Sequence, residues 1–175
     1  MNFEKIPPIQ KGLVNVVIET PRGSQNKFDY DSQLETFRLK KTLPMGTTFP
    51  FSFGFIPSTR GEDGDPLDIL VICEDAMYPG CFLEARPLGV LEAYQKEKKK
   101  KKIRNDRIVG VPGCSVMFQG IKHIKDLNKS MITEIENFFI DYNKHEGREF
   151  QPIGWKKGQA ALKLIGKART KSKRK

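Results

Sequence analysis

Glu62-Asp63-Gly64-Asp65-Pro66-Leu67-Asp68-Ile69-Leu70-Val71 is the stretch from which fold and chemistry are best read. Three aspartates fall within six residues and run into an apolar segment that continues to Cys73. That segment has the length and branched content of a buried strand. Carboxylates packed this closely repel one another unless a cation neutralises them. Hard divalent ions do so, and magnesium takes oxygen ligands while keeping several waters. Gly64 permits an unusual turn and Pro66 fixes the approach to the strand, so the three side chains can face a common centre.

On either side the chain reads as short extended pieces. Residues 13–19, Leu-Val-Asn-Val-Val-Ile-Glu, form a β-branched run, and residues 28–30, 36–39 and 49–55 are further candidates. Residues 67–73, 83–94 and 107–111 continue the series, with glycines and prolines such as Pro21, Gly23, Pro44 and Gly46 between pieces. After residue 125 the period changes. Met131, Ile132, Ile135, Phe138, Phe139 and Tyr142 recur at three- and four-residue steps, which predicts an amphipathic helix stopped by Gly147. A second, shorter helix is predicted over residues 156–165. Strands followed by two late helices indicate an α+β fold: a small closed or partly closed β-barrel, OB-like, flanked by two C-terminal helices.

The 175 residues, 38% hydrophobic with twelve Phe, suit one domain over residues 1–166 and a basic tail over 167–175. No apolar run approaches the roughly 20 residues of a membrane span, and the N-terminus lacks a secretory layout. Cys73, Cys81 and Cys114 show no CxxC spacing, which argues against a disulfide framework or zinc knuckle. They read as small buried hydrophobes in a reducing cytoplasm. The net charge of +10 is unevenly placed: residues 96–104 hold seven basic side chains and one acidic, and residues 167–175 six basic and none acidic. The body of the chain is therefore slightly acidic. Such blocks are usually solvated loops or tails, the alternative being contact with nucleic acid or another anionic surface.

The full D-G-D-P-L-D segment resembles the signature of the family I soluble inorganic pyrophosphatases. Further landmarks follow in the family's order over roughly residues 10–165. These are Val16-Val17-Ile18-Glu19-Thr20-Pro21, Asn26-Lys27-Phe28-Asp29-Tyr30, residues 49–57, Pro79-Gly80, Phe138-Phe139-Ile140-Asp141-Tyr142 and Gly154-Trp155. The resemblance implies hydrolysis of diphosphate to two phosphates by a metal-activated water. Asp63, Asp65, Asp68 and Asp106 would bind Mg²⁺, and Asp65 would accept the water's proton. Lys27, with Lys41 or Arg38, would hold phosphoryl oxygens, and Tyr142 would donate its hydroxyl. Glu19, Asp29, Glu97, Arg107 and Lys144 would play supporting parts, and the resemblance implies a homo-oligomer.

Several positions depart from the family's pattern. Phe49 and Phe53 stand where Tyr is common, and Phe cannot hydrogen-bond. Asn143 stands where Lys is common, with Lys144 next to it. In Arg104-Asn105-Asp106-Arg107, strict spacing places Asn105 on the metal-binding position, while a shift of one residue places Asp106 there. The carboxylate favours Asp106. Two other readings compete: a family member that has lost efficient hydrolysis, and a basic-armed nucleic-acid-binding barrel stacking bases on residues 49–55. His123 and His145 lack partners at ligand spacing, and Trp155 reads as a packing anchor.

Overall fold

The computed structural model describes residues 3–98 and 100–170. The strands are β1 (Ile9–Gln10), β2 (Leu13–Thr20), β3 (Asn26–Asp31), β4 (Thr36–Thr42), β5 (Ser52–Phe55), β6 (Asp68–Val71), β7 (Phe82–Glu97), β8 (Ile103–Arg104), β9 (Arg107–Pro112) and β10 (Arg148–Lys157). Helix α1 (Lys129–His145) precedes β10, and α2 (Gly158–Ala168) follows it. β2 pairs with β5, β5 with β6, β6 with β9, β9 with β7, and β7 returns to β2. The pairings thus form a ring of five strands, in which β6–β9 is parallel and the rest antiparallel. Closing the ring leaves its strands without a free edge.

The sixteen residues of β7 let it serve several neighbours. Its first part pairs with β2 and β9, and its later part with β8 and β10. β6 shows why its sequence is apolar after Asp68. Ile69 and Val71 join the cluster that contains Ala161 and Ile165 of α2, while Leu70 joins the cluster containing Ile135 and Phe139 of α1. With helices covering both sets of side chains, neither face of the strand beyond Asp68 is polar. The β3–β4 hairpin forms a separate two-stranded sheet. It is pinned to the barrel by Phe3, Tyr30, Phe37 and Phe55, with Phe3 and Tyr30 ring centroids 4.6 Å apart.

The fold is the α+β arrangement that the sequence implied, a partly ring-closed mixed sheet with two late helices. Two local readings change. Residues 148–157, including the predicted start of the second helix, form β10, which pairs with β7 through a bulge between Pro152 and Gly154. Of the three cysteines, Cys73 is buried as expected, but Cys81 and Cys114 are exposed. The last helix runs to Ala168, Arg169 makes a bridge to Thr59, and residues 171–175 of the expected tail lie outside the described residues. Among the described residues no helix is long and apolar enough to cross a membrane.

Candidate active site

One wide cleft gathers the acidic turn, the β3–β4 hairpin and the end of α1. The turn is shaped by its own backbone. Gly64 sits at φ +93°, Gly61 N donates to Asp65 O at 2.7 Å, and Asp65 N donates to Asp63 Oδ1 at 3.1 Å. Only glycine adopts that φ without strain. Thr59 Oγ1 receives Leu67 N at 3.0 Å and donates to Ile56 O at 2.6 Å, fixing where the turn rejoins the barrel. Glu62 accepts from Arg104 N at 3.0 Å and ties the turn to β8. Asp63 and Asp65 are exposed, and Asp68, opening β6, is partly buried beside Arg107.

The cationic side of the cleft starts at Lys27, which is buried. Its ammonium lies 3.3 Å from both Glu19 and Asp29, and 4.5 Å from the centre of the Phe53 ring. Phe53 therefore offers Lys27 its ring face, where a tyrosine would also offer a hydroxyl. Glu19 Oε1 accepts from Tyr30 N at 2.9 Å. Burial raises the Glu19 pKa above the ordinary carboxylate value. Burial also works against the Lys27 charge, but Glu19 and Asp29 outweigh it and hold the ammonium protonated. Asp29 also pairs with Lys40. Burial opposes its charge too, yet Lys27 and Lys40 bring its pKa below the ordinary value.

Arg107, first residue of β9, is buried between Phe139 and Phe150, its guanidinium 5.4 Å and 5.9 Å from their ring centres. Burial lowers its pKa to about 10, so it remains a cation at neutral pH and pairs with Asp68. Its Nε has no hydrogen-bond partner among the described residues. Tyr142 closes this side, packed edge-on against Phe49 at 5.8 Å, and burial raises its pKa.

Most of the predicted set thus shares one cleft: Glu19, Lys27, Asp29, Asp63, Asp65, Asp68, Glu97, Arg107 and Tyr142 all line it. Three predicted residues stand apart. Lys41 lies 4.1 Å over the Tyr142 ring and pairs with Glu146, whereas Arg38 and Lys40 line the cleft. The β3–β4 register shifts by a bulge between Lys27 and Phe28 in this stretch. Lys144 is exposed on α1 and does not line the cleft. Asp106 accepts from Ala93 N at 3.0 Å and Arg104 Nη2 at 2.9 Å, away from the cleft. Asn105 lines the cleft instead, its amide donating to Gln95 at 2.7 Å. Asn143 is buried and donates to Phe139 O at 2.8 Å.

Arg148 is a cleft residue that the sequence reading missed, because it opens the unpredicted strand β10. The signal was the change from helical period to alternation after Gly147. The aromatic segment offers little stacking surface for bases, since Phe49, Phe53 and Phe55 are 1%, 5% and 7% exposed.

The donor set at the turn suits a hard divalent cation: three carboxylates, two of them open to water, beside basic groups that could take an anion. Among the described residues no three His, Cys, Asp or Glu side chains converge as ready-made metal ligands.

A partly ring-closed mixed sheet with two late helices, carrying an acidic turn and buried cations on one cleft, defines a class of small α+β proteins with a strongly charged site. The family model described as Inorganic pyrophosphatase matches residues 16–173. An inorganic pyrophosphatase of Synechocystis sp. is 37% identical over 166 residues, spanning 94% of this chain and 95% of the relative. One from Sulfolobus acidocaldarius is 38% identical over 146 residues, 82% of each chain. The crystal structure of the inorganic pyrophosphatase from Thermus thermophilus superposes with a TM-score of 0.86 at 34% identity, covering 96% of this chain and 97% of that one. The chain belongs to the inorganic pyrophosphatase family, whose members are hydrolases.

Proposed function

We propose that the protein hydrolyses inorganic diphosphate to two phosphates with the help of Mg²⁺. The observation that carries this reading is the shared cleft, in which Asp63, Asp65 and Asp68 lie with Lys27 and Arg107. Asp63, Asp65 and Asp68 are the residues that would hold the cation. When bound, the ion neutralises diphosphate charge and makes a nucleophilic water available near neutral pH.

The protein's own groups do the rest. Asp65 is exposed and accepts the proton of the attacking water. Lys27, kept charged by Glu19 and Asp29, binds a phosphoryl oxygen from the cleft floor. Arg107 has a buried donor without an acceptor among the described residues, and a phosphoryl oxygen supplies one. Tyr142 donates its hydroxyl to the same anion, its raised pKa keeping the proton in place. Arg38 and Lys40 add positive charge along β4, while Glu19 and Asp29 hold Lys27 in position. Glu97 steadies Arg148 at the rim, and Asn105, its amide held by Gln95, lines the cleft. The ring faces of Phe49 and Phe53 exclude water without adding a hydroxyl.

The test of this assignment is Asp65→Asn with diphosphate as substrate. Turnover is expected to fall at least about a thousandfold with the thermal melt unchanged, since a general base contributes ~10²–10⁴ and the lost charge adds to that. Turnover within a factor of three of the parent would sink the assigned role.

A further inference from the structure

The cleft is far larger than diphosphate needs. Its volume is about 2030 Å³, whereas pockets enclosing drug-sized ligands run roughly 300–1,000 Å³. The wall contributed by the β7–β8 hairpin is a cationic rim, where Lys100 and Lys101 line the cleft. Lys100 is tethered to Glu97, and Glu97 also receives Arg148 Nε at 3.1 Å. Arg148 in turn donates from Nη1 to Glu146 at 3.0 Å. Side-chain exposures of 71% for Lys100 and 39% for Arg148 make these solvent-screened pairs. Such pairs contribute little, so the cations can exchange their carboxylates for a denser anion. Consecutive like charges at a hairpin tip repel one another, and a polyanion lying along them removes that cost.

We propose that the site also takes linear inorganic polyphosphates longer than diphosphate, with Lys100, Lys101 and Arg148 holding the phosphates beyond the reacting anhydride. Tripolyphosphate is the simplest such substrate. Bond cleavage rests on the function proposed above. Water forms a new O–P bond at the terminal phosphorus as the anhydride P–O bond breaks, and its proton passes to Asp65. The products are one phosphate and one diphosphate, which is itself a substrate.

The test compares the Lys100→Gln/Lys101→Gln chain with Lys163→Gln/Lys167→Gln, which removes the same charge from exposed positions on α2. The KM for tripolyphosphate divided by that for diphosphate is expected to rise about tenfold in the hairpin variant, the loss of one charge-assisted hydrogen bond. It should stay at the parent value in the α2 variant. An equal ratio in all three proteins overturns the inference. Calorimetric binding of tripolyphosphate to Asp65→Asn chains, with and without the hairpin substitutions, reads the same contacts without turnover. A tenfold affinity loss there supports the lysine contacts even if the parent hydrolyses no diphosphate. Unchanged affinity overturns them even if diphosphate is hydrolysed rapidly.

Discussion

Lys27 donates from Nζ to Glu19 Oε2 at 3.3 Å, in a place that leaves the two side chains only 8% and 11% exposed. The contact joins β2 to β3 and so seats the small hairpin on the barrel. Removing one partner of a buried pair leaves the other charged and poorly solvated. Glu19→Ala is therefore expected to cost about 3 kcal/mol, the low end for buried pairs because Asp29 remains. Urea unfolding checks this, and a loss below about 1 kcal/mol would mean that Asp29 alone satisfies the ammonium.

Asp29 gives the pH dependence. Its folded pKa lies below the ordinary value of 3.8, with Lys27 and Lys40 outweighing burial. The folded state therefore binds this proton less readily than the unfolded chain. The stabilisation is complete above about 3.8 and is lost as pH falls through the lower, folded value. Thermal melts of the parent and Asp29→Asn should differ most near neutral pH, with the gap closing in acid. A gap of constant size from pH 6 down to pH 3 would show that the charge of Asp29 is not what matters.

Arg107 separates stability from activity. Its guanidinium is buried against two phenylalanine rings, and Asp68 beside it is 27% exposed. Removing one partner of a buried ion pair is costly when the other stays buried, but Asp68 is open enough to turn to water, and a methionine fills the space between the rings without a charge to desolvate. Arg107→Met should melt at or above the parent temperature, while turnover falls about a hundredfold for want of a phosphate donor. A variant that melts lower and keeps its turnover would reverse both roles.

Gly64 tests whether the shape of the acidic turn matters apart from its charges. At φ +93° an alanine costs roughly 1–2 kcal/mol, which the exposed loop can relieve by moving. Gly64→Ala is expected to lower the melting temperature by only a few degrees. Turnover should drop at least about tenfold as the flanking aspartates shift. Differential scanning calorimetry beside a phosphate-release assay reads the two effects separately, and unchanged turnover would mean the turn tolerates reshaping.

Which parts were legible in the sequence follows from local physics. The D-G-D-P-L-D turn could be read because charge crowding, a glycine and an apolar strand all coincide within ten residues. The helix that carries Tyr142 showed itself by its period. β10 was hidden because Pro152 and Gly154 interrupt its alternation at a bulge, and its last residues look like the start of α2. Spacing alone left Lys41 and Arg38 both open, because the register of β3 on β4 shifts after Lys27; Arg38 and Lys40 line the cleft, whereas Lys41 pairs with Glu146. The surroundings of Asp106 were equally hidden, since its carboxylate accepts from Ala93 N and Arg104. A hydrogen bond to a strand thirteen residues away leaves no mark on local composition.

The most direct test of the central claim is phosphate release from pure diphosphate by the unaltered chain, with Mg²⁺ present and then removed by a chelator. The expected result is rapid release that stops on chelation and returns when Mg²⁺ is restored. Release that persists without any divalent ion, or no release with Mg²⁺ present and the protein folded, would contradict it.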